Sequence, residues 1–143
     1  MRSLLFVPGD SPRKLEKGLA SPADIILIDL EDSVAADRKV HARQTAADTI
    51  AAHPQAAGRL YVRINDFASG HADADLAAVM PAAPGGILLP KAVGLADVER
   101  LAVALRAAEA GCGIADGSTR ILPIVTETAA AVFAAGTLGR GHA

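Results

Sequence analysis

The sequence contains one cysteine, Cys112, in 143 residues. A lone thiol closes no internal disulfide and builds no multi-cysteine metal site, and no paired base stands near it to make it a nucleophile. The chain therefore reads as cytoplasmic. Tryptophan is absent, and the aromatic residues are three Phe and one Tyr. The core must come from Ala, Val, Ile and Leu, and the aromatic platforms that stack single-stranded nucleic acid are lacking. Neither sign of charge dominates: 14 Lys+Arg face 16 Asp+Glu, a formal net charge of -2. That leaves no electrostatic footprint for a nucleic acid or an anionic membrane. No apolar run reaches the roughly 18 residues that span a bilayer. The longest, Ala129 to Ala135, is Ala-rich and helical in pattern, and the run after Met1 is cut short by Pro8 and Asp10.

Five short apolar runs are present: Leu4–Val7, Ile25–Leu30, Leu60–Ile64, Ile87–Leu89 and Ile121–Val125. They are nearly unbroken, as strands buried on both faces are. Helical patterns fill the intervals. Ser11-Pro12 reads as an N-cap with proline at the first helical position, opening a helix to Leu19. Val34–Ala52 places Val40, Ala47 and Ile50 on an apolar side. His71–Met80 is short. Ala96–Ala110 carries an apolar stripe at Val98, Leu101, Leu105 and Ala108, stopped by Gly111 and Gly113. A last helix spans Thr128–Ala135, stopped by Gly136-Thr137-Leu138-Gly139. The order is βαβαβαβαβα over residues 1–143, one α/β unit with no internal boundary. It suits an open doubly wound sheet, such as a flavodoxin-like or response-regulator domain, or part of a (β/α)₈ barrel.

Both architectures put chemistry at the carboxyl ends of strands. The second strand ends Asp29-Leu30-Glu31-Asp32, with Asp29 and Glu31 on one face by the period of two. Buried strands carry carboxylates when these are paired, hydrogen-bonded or bound to metal. Asp32 could instead cap the following helix. Arg63, ending the third strand, is a planar fork suited to a carboxylate, and equally to an internal pair with Asp29 or Glu31. Lys91, after the fourth strand, is either a cation for an anionic group or a surface residue. Glu127, after the fifth, could ligate a hard cation through oxygen or serve as a first-turn helix charge. The turn at Gly9 and the helix behind it could receive an anion, though no phosphate-loop pattern is present. His41, His53, His71 and His142 show no metal spacing and read as solvated.

The segments Leu4-Leu5-Phe6-Val7-Pro8-Gly9-Asp10, Ile28-Asp29-Leu30-Glu31-Asp32-Ser33-Val34, Val62-Arg63-Ile64-Asn65, Leu88-Leu89-Pro90-Lys91-Ala92 and Ile124-Val125-Thr126-Glu127-Thr128 follow in that order. Together they resemble the HpcH/HpaI aldolase and citrate lyase family, and most closely its citrate lyase beta subunit-like branch. The resemblance implies a (β/α)₈ TIM barrel and a Mg²⁺-dependent carbon–carbon lyase acting on a 3-hydroxy acid or its acyl-CoA thioester. It implies that Arg63 holds the carboxylate of the 2-oxo acid product, that Asp32 lies beside Arg63 as the second catalytic group, and that Glu127 ligates Mg²⁺. Asp29, Glu31, Lys91 and Arg13 become substrate-side residues, Arg13 and Lys91 as contacts for the acyl carrier or for charge balance. Cleavage leaves charge on an enolate oxygen, which a divalent cation and a guanidinium can stabilise.

A full barrel takes about 250 residues, and only five strand–helix units are present here. The expectation is the N-terminal part of a lyase barrel: a truncated product, a fragment, or one piece of an assembly. The family's second metal carboxylate, in a Gly-x-Glu-Asp-Leu-like segment, has no match, and no Asp or Glu follows Glu127. Residues Gly139–Ala143 give no strand. Bare first and fifth strand edges invite pairing, so a homo-oligomer is expected, with a small-molecule substrate and neither nucleic acid nor membrane as partner. The alternative is an inactive barrel fragment that binds a 2-oxo acid or assembles with a partner.

Overall fold

A computed structural model describes residues 1–136. Five strands form: β1 (Leu4–Pro8), β2 (Ile25–Asp29), β3 (Leu60–Arg63), β4 (Gly86–Leu89) and β5 (Arg120–Pro123). Each falls on one of the apolar runs. All four pairings are parallel and the spatial order is β1-β2-β3-β4-β5. A doubly wound sheet reverses its strand order at a switch point, and this sheet does not. Sequential order is that of a barrel wall, here an open arc of five strands. The flavodoxin-like and response-regulator alternatives fall on the same ground.

The two faces of the arc are built differently. The outer face holds Val7, Ile26, Ile28, Val62, Ile64, Ile87 and Leu89, packed against the helices in one continuous core. Each fully buried Ile or Leu there contributes roughly 1.5–3 kcal/mol. The inner face carries a smaller cluster of Ile25, Leu27, Tyr61 and Leu88, with Leu122 and Ile124 against it. Tyr61 fills this face because Gly86 leaves room: a Cβ at residue 86 would lie 2.5 Å from the ring. Towards β1 the inner face is open, with Phe6 46% exposed.

Five α-helices flank the arc: α1 (Pro12–Leu19), α2 (Lys39–Ala52), α3 (Ala72–Val79), α4 (Leu95–Cys112) and α5 (Ala129–Ala134). Ser11 occupies the N-cap position of α1 with Pro12 at its first turn, yet the Ser11 side chain makes no capping bond. Its carbonyl instead accepts from Lys14 and Leu15 N–H. Thr128 does cap α5, accepting from Ala131 N–H at 3.1 Å. The helix expected from Val34 begins later, at Lys39, after a turn and a short 3₁₀ segment (Ala36–Arg38). Its buried stripe is Ala42, Ala46 and Ile50, and Val40 is 74% exposed. In α4 the buried positions are Leu101, Leu105 and Glu109. Gly111 continues that helix, and Gly113, at φ +69°, ends it. The stop expected at Thr137–Gly139, the strandless end Gly139–Ala143, and His142 lie outside the described residues. His41, His53 and His71 are exposed, as expected. Among the described residues no helix is long and apolar enough to cross a membrane.

The corrected face of α2 is testable by chemical denaturation. Val40→Lys should change stability by no more than about 0.5 kcal/mol. Ala42→Lys buries an unpaired ammonium in the core and should cost about 3 kcal/mol or more. Equal costs would show that Val40, not Ala42, faces the core.

Candidate active site

The parallel register sets Asp29 of β2 beside Arg63 of β3, both on the inner face. They form a bidentate pair, Nε to Oδ1 and Nη2 to Oδ2, each 2.7 Å. Asp29 also accepts from the backbone N–H of Glu31 (2.9 Å) and of Ser33 (3.0 Å), which folds the turn after β2 around the carboxylate. Asp29 is 1% exposed and Arg63 9% exposed. Burial pushes the Asp29 carboxyl up, but the bonds from Arg63, Ser33 and Glu31 outweigh it and hold its pKa below the usual carboxylate value. Burial likewise works against the Arg63 charge, and Asp29, Glu31 and Asp32 more than restore it. The Arg63 guanidinium also lies over the Phe6 ring, 4.8 Å from its centroid.

Asp29 occupies the Nε hydrogen and one Nη2 hydrogen. The fork's remaining donors are left for other groups. Glu31 Oε2 stands 3.0 Å from Nη1 and Asp32 Oδ2 3.6 Å from it. Glu31 is buried and Asp32 is exposed at the arginine; the N-cap positions that follow are Ala35 and Arg38, so Asp32 caps no helix. A hollow of about 430 Å³ opens here, lined by Phe6, Pro8, Asp29, Asp32, Ser33 and Arg63 among others. The candidates Asp29, Glu31, Asp32 and Arg63 thus come together in one constellation.

Lys91 joins it from the turn after β4. Its Nζ lies 2.7 Å from Glu31 Oε1 and 3.6 Å from Asp66 Oδ2, and the bond to Glu31 raises its pKa. Both Glu31 oxygens are therefore ion-paired, although neither makes a hydrogen bond of good geometry. Glu127 precedes Thr128, the cap of α5, so it is not a first-turn helix charge. Its Oε2 accepts from the Lys91 backbone N–H at 2.6 Å. Arg13 stands apart: it is exposed at the start of α1.

Glu127 is an exposed hard-oxygen donor, the type Mg²⁺ takes. Asp29 is saturated by its four bonds and Glu31 by two cations. Among the described residues no three His, Cys, Asp or Glu cluster in a way that could hold a metal. Among the described residues a hard cation would be held by Glu127, and would supply Lewis-acid polarisation of a ligand oxygen there.

Four residues of the site's support were not picked out from sequence. Lys39 Nζ donates to the carbonyls of Leu30 and Glu31 and to Asn65 Oδ1, each at 2.7 Å. Burial lowers its pKa, against the pull of Asp75, Asp29 and Glu31. Asp75, fully buried, accepts from Asn65 N–H and Nδ2 and from Arg43 Nε, all at 2.7 Å. This network ties α2 and α3 to the ends of β2 and β3 from behind. Its only sequence signal is an acidic residue on the core face of a short helix.

The Asp29 pair has a pH signature. Its folded pKa lies below the unfolded value of about 3.9. The stability it contributes is fully present above about pH 4 and is lost as pH falls through the folded pKa. Glu109 adds to the same limb. Its burial is outweighed by bonds from Thr119 and Gly117 N–H, which hold its pKa down. Urea midpoints from about pH 2 to 6 should rise less steeply for Asp29→Asn than for the wild type. Identical slopes would show that Asp29 does not carry the acid limb.

Comparison with known proteins shows the family. A model of the HpcH/HpaI aldolase/citrate lyase family matches residues 2–137. A (3S)-malyl-CoA thioesterase of Cereibacter sphaeroides is 40% identical over 101 residues, covering 71% of this chain and 35% of the relative. The citrate lyase subunit beta of Haemophilus influenzae is 34% identical over 130 residues, covering 87% of this chain and 43% of the relative. A solved citrate lyase beta subunit from M. tuberculosis, complexed with oxaloacetate and magnesium, superimposes with a TM-score of 0.64 at 31% identity. That match covers 92% of this chain and 61% of the other. The chain spans about two fifths of the length of the curated relatives it matches and corresponds to their N-terminal part. With that family model matching nearly the whole chain, it belongs to the HpcH/HpaI aldolase/citrate lyase family.

Proposed function

We propose that these residues form the anion-binding side of a Mg²⁺-dependent carbon–carbon lyase site. The substrate is a 3-hydroxy acid or its acyl-CoA thioester, and the product an oxaloacetate- or pyruvate-like 2-oxo acid. The observation that carries the reading is the oriented Arg63. Asp29 fixes its Nε and Nη2, Glu31 stands at Nη1, and the guanidinium so held lines an open hollow at the strand ends. A preorganised guanidinium of this kind grips a carboxylate and stabilises charge that develops beside it. The named relatives, a malyl-CoA thioesterase and citrate lyase beta subunits, support the substrate class.

Arg63 binds the 2-oxo acid carboxylate. Asp32, exposed beside Arg63, accepts the proton of the substrate hydroxyl as the carbon–carbon bond breaks. The hydroxyl carbon becomes the 2-oxo carbonyl, and the bonding pair leaves with the acyl fragment as its enolate, which a water proton quenches. Glu127 holds the cation, which when bound supplies Lewis-acid stabilisation of oxygen charge. Lys91 and Glu31 balance charge behind the ligand, and Arg13 meets the acyl carrier at the rim. The protein acts in the cytoplasm as a homo-oligomer. A second reading is binding of the 2-oxo acid without turnover; among the described residues no group of three His, Cys, Asp or Glu is placed to hold a metal, which favours it.

The site's charge makes a sharp demand. Asp29, Glu31, Asp32, Asp66 and Glu127 outnumber Lys39, Arg63 and Lys91. An anionic ligand is repelled until a divalent cation enters. Calorimetric titration of oxaloacetate should show binding with Mg²⁺ and none with EDTA. Arg63→Lys should weaken it on the order of tenfold or more, about 1.4 kcal/mol. Glu127→Gln should remove the Mg²⁺ dependence with the affinity. Asp32→Asn should leave affinity within a few-fold while abolishing cleavage. Unchanged affinity in Arg63→Lys would refute the assignment.

A further inference from the structure

Lys91 sits at φ +53°, in the left-handed region that residues with a Cβ seldom occupy. The turn after β4 is pinned on either side: Ile124 N–H donates to Leu89 O at 2.8 Å and Ala92 N–H to Ile124 O at 3.1 Å. Between these two bonds the left-handed residue aims its own N–H sideways at Glu127 Oε2, 2.6 Å away. Its side chain runs the other way, to Glu31 and Asp66. One residue therefore reaches acids at the ends of β2, β3 and β5. Strain of this kind persists where the surroundings over-determine it, and it collects at functional sites.

We infer that Lys91 is a positioning residue with two separable parts. Its backbone N–H orients Glu127, and its ammonium orients Glu31, whose other oxygen holds Arg63. Lys91 thereby sets the spacing between the carboxylate offered to a cation and the arginine offered to an anion. The ligand roles of Glu127 and Arg63 rest on the function proposed above. The positioning itself does not.

Lys91→Gly separates the parts, because glycine adopts this φ freely and keeps the N–H while losing the ammonium. Side-chain carboxyl ¹³C and amide ¹⁵N spectra of the full chain read the two halves without any ligand. In Lys91→Gly the Glu31 carboxyl and the Arg63 Nε–H resonances should move while that of Glu127 stays. In Glu127→Gln the Lys91 amide should move and Glu31 should stay. Lys91→Asn, which also tolerates this backbone, should repeat the glycine result. Glu31 and Glu127 moving together in Lys91→Gly, or a Lys91 amide indifferent to Glu127→Gln, would overturn the inference. Where the wild type binds oxaloacetate with Mn²⁺, Lys91→Gly should keep Mn²⁺ affinity within twofold and lose at least tenfold in oxaloacetate affinity. Loss of both in equal measure would also overturn it. A wild type that binds no oxaloacetate removes the functional reading and leaves the spectra to decide this one.

Discussion

The buried pair between Asp29 and Arg63 organises everything at the strand ends. A guanidinium and a carboxylate both removed from water are stable together only when geometry is good and the remaining lone pairs are bonded. Both conditions hold. The fork meets the carboxylate through two 2.7 Å bonds, and Glu31 and Ser33 N–H occupy what is left of Asp29. The parallel register of β2 and β3 makes this possible, because it sets the two residues level on the same face. The turn after β2 then has little freedom, and Glu31 and Asp32 fall where Arg63 can reach them.

From that pair the charges alternate across the arc. Arg63 meets Glu31, Glu31 meets Lys91, and the Lys91 backbone meets Glu127. These three contacts link the ends of β2, β3, β4 and β5, the Glu31–Lys91 pair reaching across β3. On the outer face the apolar core and the Lys39–Asn65–Asp75 network hold the strand ends from behind. On the inner face Tyr61 over Gly86 fills the floor beneath the charged layer. The chemistry stands on an apolar base and opens at the top, the arrangement of a barrel wall.

Much of this was legible in the sequence. Parallel strands buried on both faces read as unbroken apolar runs, and all five runs became strands. The strand-end rule found Asp29, Glu31, Asp32, Arg63, Lys91 and Glu127 because carboxylates and arginine at such positions demand partners. The choice between barrel and doubly wound sheet was not legible from the runs, since both share the order βαβα and differ only in which strands pair. The face of α2 was misread because alanine is apolar on every side: Val40 drew the stripe to itself, while Ala42 and Ala46 are buried in the core. Lys39 and Asp75 went unnoticed because their partners lie on other elements. Asp75 bonds Asn65 and Arg43, and Lys39 reaches carbonyls of the β2 turn. The backbone part played by Lys91 depends on the sign of φ, which its residue type does not advertise.

A double-mutant cycle on Asp29 and Arg63 tests the organising pair most directly, with Asp29→Asn, Arg63→Met and the double variant compared by urea denaturation near neutral pH. The two costs should be strongly coupled, with the double variant losing less than the sum of the singles by about 2 kcal/mol or more. Costs that add to within about 0.5 kcal/mol would mean the two side chains act independently, and that the strand ends are held by something other than this pair.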